Sequence, residues 1–177
     1  MKKLVKAEIL WTRKCPLSCN FCAMPNDTER APVDLMIKGL RNLKDLGCEF
    51  IAIYGASPLY DFEGLPEYIK AAEDMGILTT IIVDGVGGDE DKKKIKQLYD
   101  VGLRSLTVSN DFNPYDKSSR LKSKAGLKLI DWFDKLPGTR DMEIVTTVTF
   151  NNYMEITVSL YTLLEKYDDK LWFSFDF

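Results

Sequence analysis

Histidine is missing from all 177 residues. That one absence excludes a histidine-based nucleophile triad, an imidazole metal site and an imidazole proton shuttle. Charge of one sign is also lacking: 24 basic side chains stand against 27 acidic ones, and a net charge of −3 is too mild to favour nucleic acid. No apolar run approaches the roughly 20 residues of a membrane span. Lys6 and Glu8 interrupt the apolar core a signal peptide would need, so a cytoplasmic protein without membrane contact is expected. There is no low-complexity linker, and residues 1–177 read as a single domain. With 45% apolar and 29% charged residues the chain can bury a core, which excludes disorder and collagen-like repeats.

What is present is an alternation. Runs rich in β-branched and aromatic residues predict strands over 7–11, 50–54, 77–83, 105–109, 143–150 and 171–175. Between them, apolar residues recur at helical spacing. Met36, Leu40, Leu43 and Leu46 form one such face before Gly47, Tyr68, Ile69, Ala72 and Met75 lead to Gly76, and Ile95 and Leu98 precede Gly102. Leu129, Ile130, Phe133 and Leu136 run up to Pro137-Gly138, and a last helix is predicted over 154–167. Units of about 30 residues suit βα crossovers and parallel strands, which gather the loops after the strands on one functional face. A full barrel needs eight units; six strands leave an incomplete barrel or an open sheet.

Three of the four cysteines crowd into Cys15-Pro16-Leu17-Ser18-Cys19-Asn20-Phe21-Cys22, directly after the first predicted strand. In a reducing compartment such clustering points to metal rather than to a disulfide. A closed structural zinc site wants four ligands, and no histidine is there to complete one. Cys48 opens the second strand and falls at the other end of the sheet, about a strand length (~17–20 Å) away; it reads as a small buried hydrophobe. Thiolates in this number suit an iron–sulfur cube that keeps one iron open.

The Cys-x3-Cys-x-aromatic-Cys spacing, with Phe21 in the aromatic position, resembles the radical S-adenosylmethionine (SAM) superfamily. The resemblance runs essentially from Lys6 to Phe177 and implies a parallel-sheet partial (β/α)6 TIM-like barrel of the α/β class. It also implies a [4Fe–4S] cluster on Cys15, Cys19 and Cys22, with the open iron chelated by the amino and carboxylate groups of SAM. One electron then cleaves SAM to a 5′-deoxyadenosyl radical that abstracts hydrogen from a small-molecule or peptide substrate. The electron would come from a reducing donor such as flavodoxin or ferredoxin.

Further stretches resemble the family's SAM contacts. Gly55-Ala56-Ser57-Pro58 matches Gly-Gly-Glu-Pro at Gly55 and Pro58 and departs at Ala56 and Ser57. Where glutamate would hold the SAM ammonium ionically, Ser57 offers a neutral hydrogen bond, worth ~0.5–1.5 kcal/mol against ~1.5–3 for a charged one. Asp84 is a candidate substitute carboxylate, which predicts that Asp84→Asn loses SAM affinity while Asp61→Asn does not. Val83-Asp84-Gly85 resembles the family's Thr-Asn-Gly turn, and Ser109-Asn110-Asp111 its Ser-x-Asp stretch towards ribose and carboxylate. Asn151 and Asn152 stand where a polar SAM contact is frequent; helix capping serves them equally well.

Arg13 and Lys14 precede the cysteine loop, where they would offset the charge of cluster and thiolates. Lys92-Lys93-Lys94 reads as a solvated face; the set Lys117, Arg120, Lys122 and Lys124 follows the fourth strand on the active face and reads either as solvated or as recognition of an anionic substrate, while Trp132 and Phe133 read as core. No auxiliary cluster fits the single remaining cysteine. Finishing in a sixth strand leaves a sheet edge that a partner chain would close, or marks a fragment. The rival readings are an iron–sulfur or SAM-binding module without turnover, and a zinc-stabilised α/β protein.

Overall fold

The computed structural model describes residues 4–19, 22, 30–112, 117–138, 141–167 and 170–176. Strands and helices alternate throughout: β1 (Lys6–Thr12), α1 (Val33–Asp45), β2 (Phe50–Gly55), α2 (Leu65–Asp74), β3 (Leu78–Val83), α3 (Asp89–Asp100), β4 (Ser105–Ser109), α4 (Lys117–Phe133), β5 (Met142–Thr147), α5 (Tyr153–Tyr167) and β6 (Leu171–Asp176). They fall into two compact units. The first takes the described residues of Met1–Pro16, Met24–Ile82 and Asp89–Arg104; the second takes those of Leu17–Ala23, Val83–Gly88 and Ser105–Phe177.

In the first unit β1, β2 and β3 are parallel neighbours, with Lys6 opposite Phe50, Ile9 opposite Ile53, Phe50 opposite Leu78 and Ile53 opposite Ile81. The continuous apolar run of β2 follows from burial on both faces, because helices cover a parallel sheet. Ile51 and Ile53 are fully buried, together with Leu40 of α1, Leu65, Tyr68 and Ile69 of α2, and Ile95 and Leu98 of α3. Gly76, at φ +65°, ends α2 in the left-handed conformation, and the next amide, Ile77 N–H, returns to the Ala72 carbonyl at 2.9 Å.

In the second unit β4, β5 and β6 are parallel, with Leu106 opposite Met142 and Met142 opposite Leu171. Strand order follows chain order in both units. Leu129, Ile130 and Phe133 of α4 are buried, as are Val108 of β4 and Ile144 of β5. Helix α5 buries Ile156, Leu163 and Tyr167 but leaves Tyr153, Met154, Val158, Tyr161 and Leu164 exposed.

Three expectations need correction. The fifth strand ends at Thr147 rather than at residue 150, since Asn152 Oδ1 accepts the Thr149 N–H at 2.7 Å and turns the chain, leaving Phe150 89% exposed. On α1 only Leu40 of the anticipated face is fully buried; Leu46 lies past the last turn and is exposed. Lys94 is not simply solvated, because its ammonium donates to the Leu59 carbonyl at 2.9 Å and sits 5.7 Å above the Phe62 ring. Cys48 is fully buried, as expected. Among the described residues no helix is long and apolar enough to cross a membrane.

Candidate metal and cofactor site

Among the described residues, which include all four cysteines, no disulfide is formed; Cys15 and Cys19 are half-buried and Cys22 is exposed. The Cys22 N–H donates to the Cys19 carbonyl at 3.1 Å, closing the tight turn that a two-residue spacing allows. Among the described residues no three Cys, Asp or Glu side chains stand close enough together to hold a metal ion. Phe21 lies outside the described residues. The donor set nevertheless fits an iron–sulfur cluster in its chemistry: three reachable, soft thiols, none spent on a disulfide, in one short stretch after a strand.

The turn after β2 is pressed against the end of β1. Ala56 N–H donates to the Thr12 carbonyl at 2.9 Å, and a Cβ on Gly55, which sits at φ +153°, would meet that oxygen at 2.4 Å. Glycine is required there by space and by conformation alike. Ser57 and Pro58 are buried, and the Ser57 carbonyl accepts the Tyr60 N–H at 2.9 Å.

Asp61, four residues beyond Ser57, is the centre of a network that the sequence did not reveal. Its carboxylate is 8% exposed and accepts a hydrogen bond from Lys14 Nζ at 3.0 Å, while its Oδ2 lies 3.7 Å from Arg30 Nε. Burial works against the charge, but the hydrogen bonds from Lys14 and Thr12 and the charges of Arg30 and Lys14 outweigh it, holding the carboxyl below its ordinary range. The Asp61 carbonyl accepts the indole N–H of Trp11 at 2.8 Å, and the Arg30 guanidinium lies 4.5 Å from the Trp11 ring centroid. Lys14 is therefore not a spare cation for offsetting thiolate charge. Asp61 is equally unsuited as an inert control. Partners 47 residues apart in the chain leave no periodic signal. Beside this network a cleft of about 440 Å³ is lined by Leu10, Trp11, Thr12, Arg13, Arg30 and Ala31. Of its two guanidiniums, that of Arg30 is already engaged by Asp61 and the Glu63 carbonyl.

In the second unit, Asp84 is half-buried and its Oδ1 accepts the Val86 N–H at 3.0 Å, while Gly85 packs so closely that an added Cβ would be 3.2 Å from Gly126 Cα. Ser109 is half-buried at the end of β4. Asn110 and Asp111 are buried and brace the neighbouring strand. Asn110 N–H donates to the Val145 carbonyl at 2.9 Å, the Thr146 hydroxyl donates to the Asn110 carbonyl at 2.7 Å, and Asp111 Oδ1 accepts the Thr147 N–H at 3.2 Å. Phe112 follows at φ +48°, a conformation that costs a non-glycine residue roughly 1–2 kcal/mol. Asn151 is exposed, whereas Asn152 is buried and donates to the Asp111 carbonyl at 2.5 Å and the Thr147 carbonyl at 2.8 Å.

Comparison with known proteins agrees with the cysteine loop. Residues 9–122 match the family model of the radical SAM superfamily. A PqqA peptide cyclase from Methylorubrum extorquens (strain PA1) is 30% identical over 102 residues, which is 55% of this chain and 26% of that protein. Streptococcus suis SuiB, solved bound to the precursor peptide SuiA, superposes with a TM-score of 0.76 at 20% identity, covering 98% of this chain and 39% of SuiB. Methylornithine synthase (PylB) gives a TM-score of 0.73 at 15% identity over 98% of this chain and 54% of PylB. The chain thus spans between about a quarter and a half of these proteins. The structural likeness shows the fold, the parallel partial (β/α)6 barrel expected from the sequence. With a three-thiol loop after β1 and a family model matched over well more than half its length, the chain belongs to the radical SAM superfamily of enzymes.

Proposed function

We propose that Cys15, Cys19 and Cys22 hold a [4Fe–4S] cluster, that SAM binds at its open iron, and that the substrate is a peptide. When bound, the cluster supplies the electron that cleaves SAM into methionine and the 5′-deoxyadenosyl radical, which takes a hydrogen atom from the substrate. The observation that carries the reading is the Cys-x3-Cys-x2-Cys loop directly after β1 in a chain that matches the family model. Three thiols, with no histidine to compete, favour iron and sulfide over a closed zinc site.

The chain's own groups then have assignable tasks. Gly55 and Ala56 keep backbone bulk low at the end of β2, and Ser57 supplies a neutral hydrogen bond where the family places a charge. Asp84 beyond β3, Ser109 at the end of β4, Asp111 beyond it and Asn151 beyond β5 are, with Phe21, proposed SAM contacts on the family's pattern. A peptide substrate is supported by the relatives, one named for cyclising the PqqA peptide and one solved with a precursor peptide. A flavodoxin- or ferredoxin-type protein in the cytoplasm is the proposed electron donor.

Anaerobic reconstitution with ferrous iron and sulfide, followed by dithionite and SAM, tests the proposal. Near-stoichiometric cluster and release of 5′-deoxyadenosine are expected, both lost in Cys15→Ala, Cys19→Ala and Cys22→Ala. A stable cluster that never cleaves SAM would replace this reading with a binding module. Zinc without iron and sulfide would replace it with a structural metal protein.

A further inference from the structure

Along the chain the three cysteines are flanked by two cations that meet on one carboxylate. Lys14 immediately precedes Cys15, and Arg30 follows Cys22 by eight positions. Both reach Asp61, which belongs to the segment between β2 and α2: Lys14 Nζ at 3.0 Å on Oδ1 and Arg30 Nε at 3.7 Å from Oδ2. Each cation has a second fastening. Lys14 N–H donates to Thr12 Oγ1 at 3.1 Å; Arg30 Nη1 donates to the Glu63 carbonyl at 2.7 Å, and its guanidinium stacks over Trp11. Trp11 in turn holds the Asp61 carbonyl, so carboxylate and main chain are fixed by the same strand end. Asp61 is nearly buried and Arg30 largely so, which keeps the charged contacts shielded from solvent screening.

We infer that Asp61 is a positioning residue of the cysteine loop, holding Lys14, next to Cys15, and Arg30, eight residues past Cys22, at one point, so that both ends of the cysteine-bearing segment are fixed before a cluster assembles. The inference rests on the assignment of Cys15, Cys19 and Cys22 as its ligands. Joining two distant chain positions through one carboxylate removes conformational entropy that cluster assembly would otherwise have to overcome. Groups that orient metal ligands without touching the metal typically change affinity by about 10–100-fold when removed. The carboxylate also sets local charge. Lys14, Arg30 and Asp61 together carry +1, and Asp61→Asn raises that to +2 beside the loop.

The test compares the full-length chain with Asp61→Asn, Asp61→Glu and Arg30→Gln. In metal-free protein, amide hydrogen exchange across residues 15–30 is expected to accelerate in Asp61→Asn and Arg30→Gln and to stay near native in Asp61→Glu. After reconstitution with ferrous iron and sulfide, Asp61→Asn is expected to lose iron to a chelator about 10–100-fold faster. Its reduction potential should move to more positive values, while that of Asp61→Glu stays. Loosening of the fold alone would not restore the potential in the glutamate variant. Unchanged exchange over 15–30 in both Asp61→Asn and Arg30→Gln would overturn the clamp even if a cluster forms. A chain that binds no iron in any variant would instead overturn the cluster assignment, with the exchange experiment still deciding the clamp.

Discussion

The two compact units fasten the loops after their strands by different chemistry. In the first, the end of β1 and the turn beyond β2 are tied through charge: one buried carboxylate, two cations and an indole. In the second, the ends of β4 and β5 are tied largely by amides and hydroxyls of Asn110, Thr146, Thr149 and Asn152. A charge-centred fastening responds to pH and to loss of a single partner; an amide network responds only to loss of its members. The charged fastening is the one next in sequence to Cys15.

The sharpest break in this contrast comes from Gly55→Ala, because the clash is with the Thr12 carbonyl and neither side is a movable side chain. A loss of about 3 kcal/mol in urea unfolding is expected, with iron loading reduced in parallel. Next is Asn152→Ala in the second unit, where two donated and two accepted hydrogen bonds vanish. A cost of about 2–3 kcal/mol is expected, and it should be the same at pH 5 and pH 8.

Asp61→Asn separates the units by pH. The folded carboxyl is held below its unfolded value, so its contribution is fully present above the unfolded value of about 3.9 and declines as pH falls through the lower folded one. At pH 7 the variant should be about 1–3 kcal/mol less stable than the native chain, and the gap should close in unfolding curves taken towards pH 3. A gap that persists there would place the loss in packing rather than in charge. The smallest effect belongs to Lys70→Ala, which removes an exposed i,i+4 pair with Asp74 on α2 and should change stability by less than about 0.5 kcal/mol.

These differences track what the sequence made legible. Strand β2 is apolar on both faces and stands out as a short run, while β4 shows as Leu106 and Val108 alternating with Ser105, Thr107 and Ser109; helices such as α2 show their period and their terminal glycine. The cysteine loop was legible because all its chemistry is contiguous. Asp61 was not, because an ion pair joining residues 14, 30 and 61 leaves no pattern along the chain. Strand β5 was overrun because Val148-Thr149-Phe150 has strand propensity, and only the Asn152 side chain ends the strand. Helix α5 was foreseen, but its apolar residues cover more than one face, so sequence did not say that Tyr161 and Val158 would remain exposed.

The most direct measurement is the electron paramagnetic resonance spectrum of the dithionite-reduced, reconstituted chain before and after SAM is added. An open iron that chelates SAM predicts a cluster signal whose g-values shift on addition, and no cluster signal in Cys19→Ala. A full cluster whose spectrum is indifferent to SAM would contradict the account.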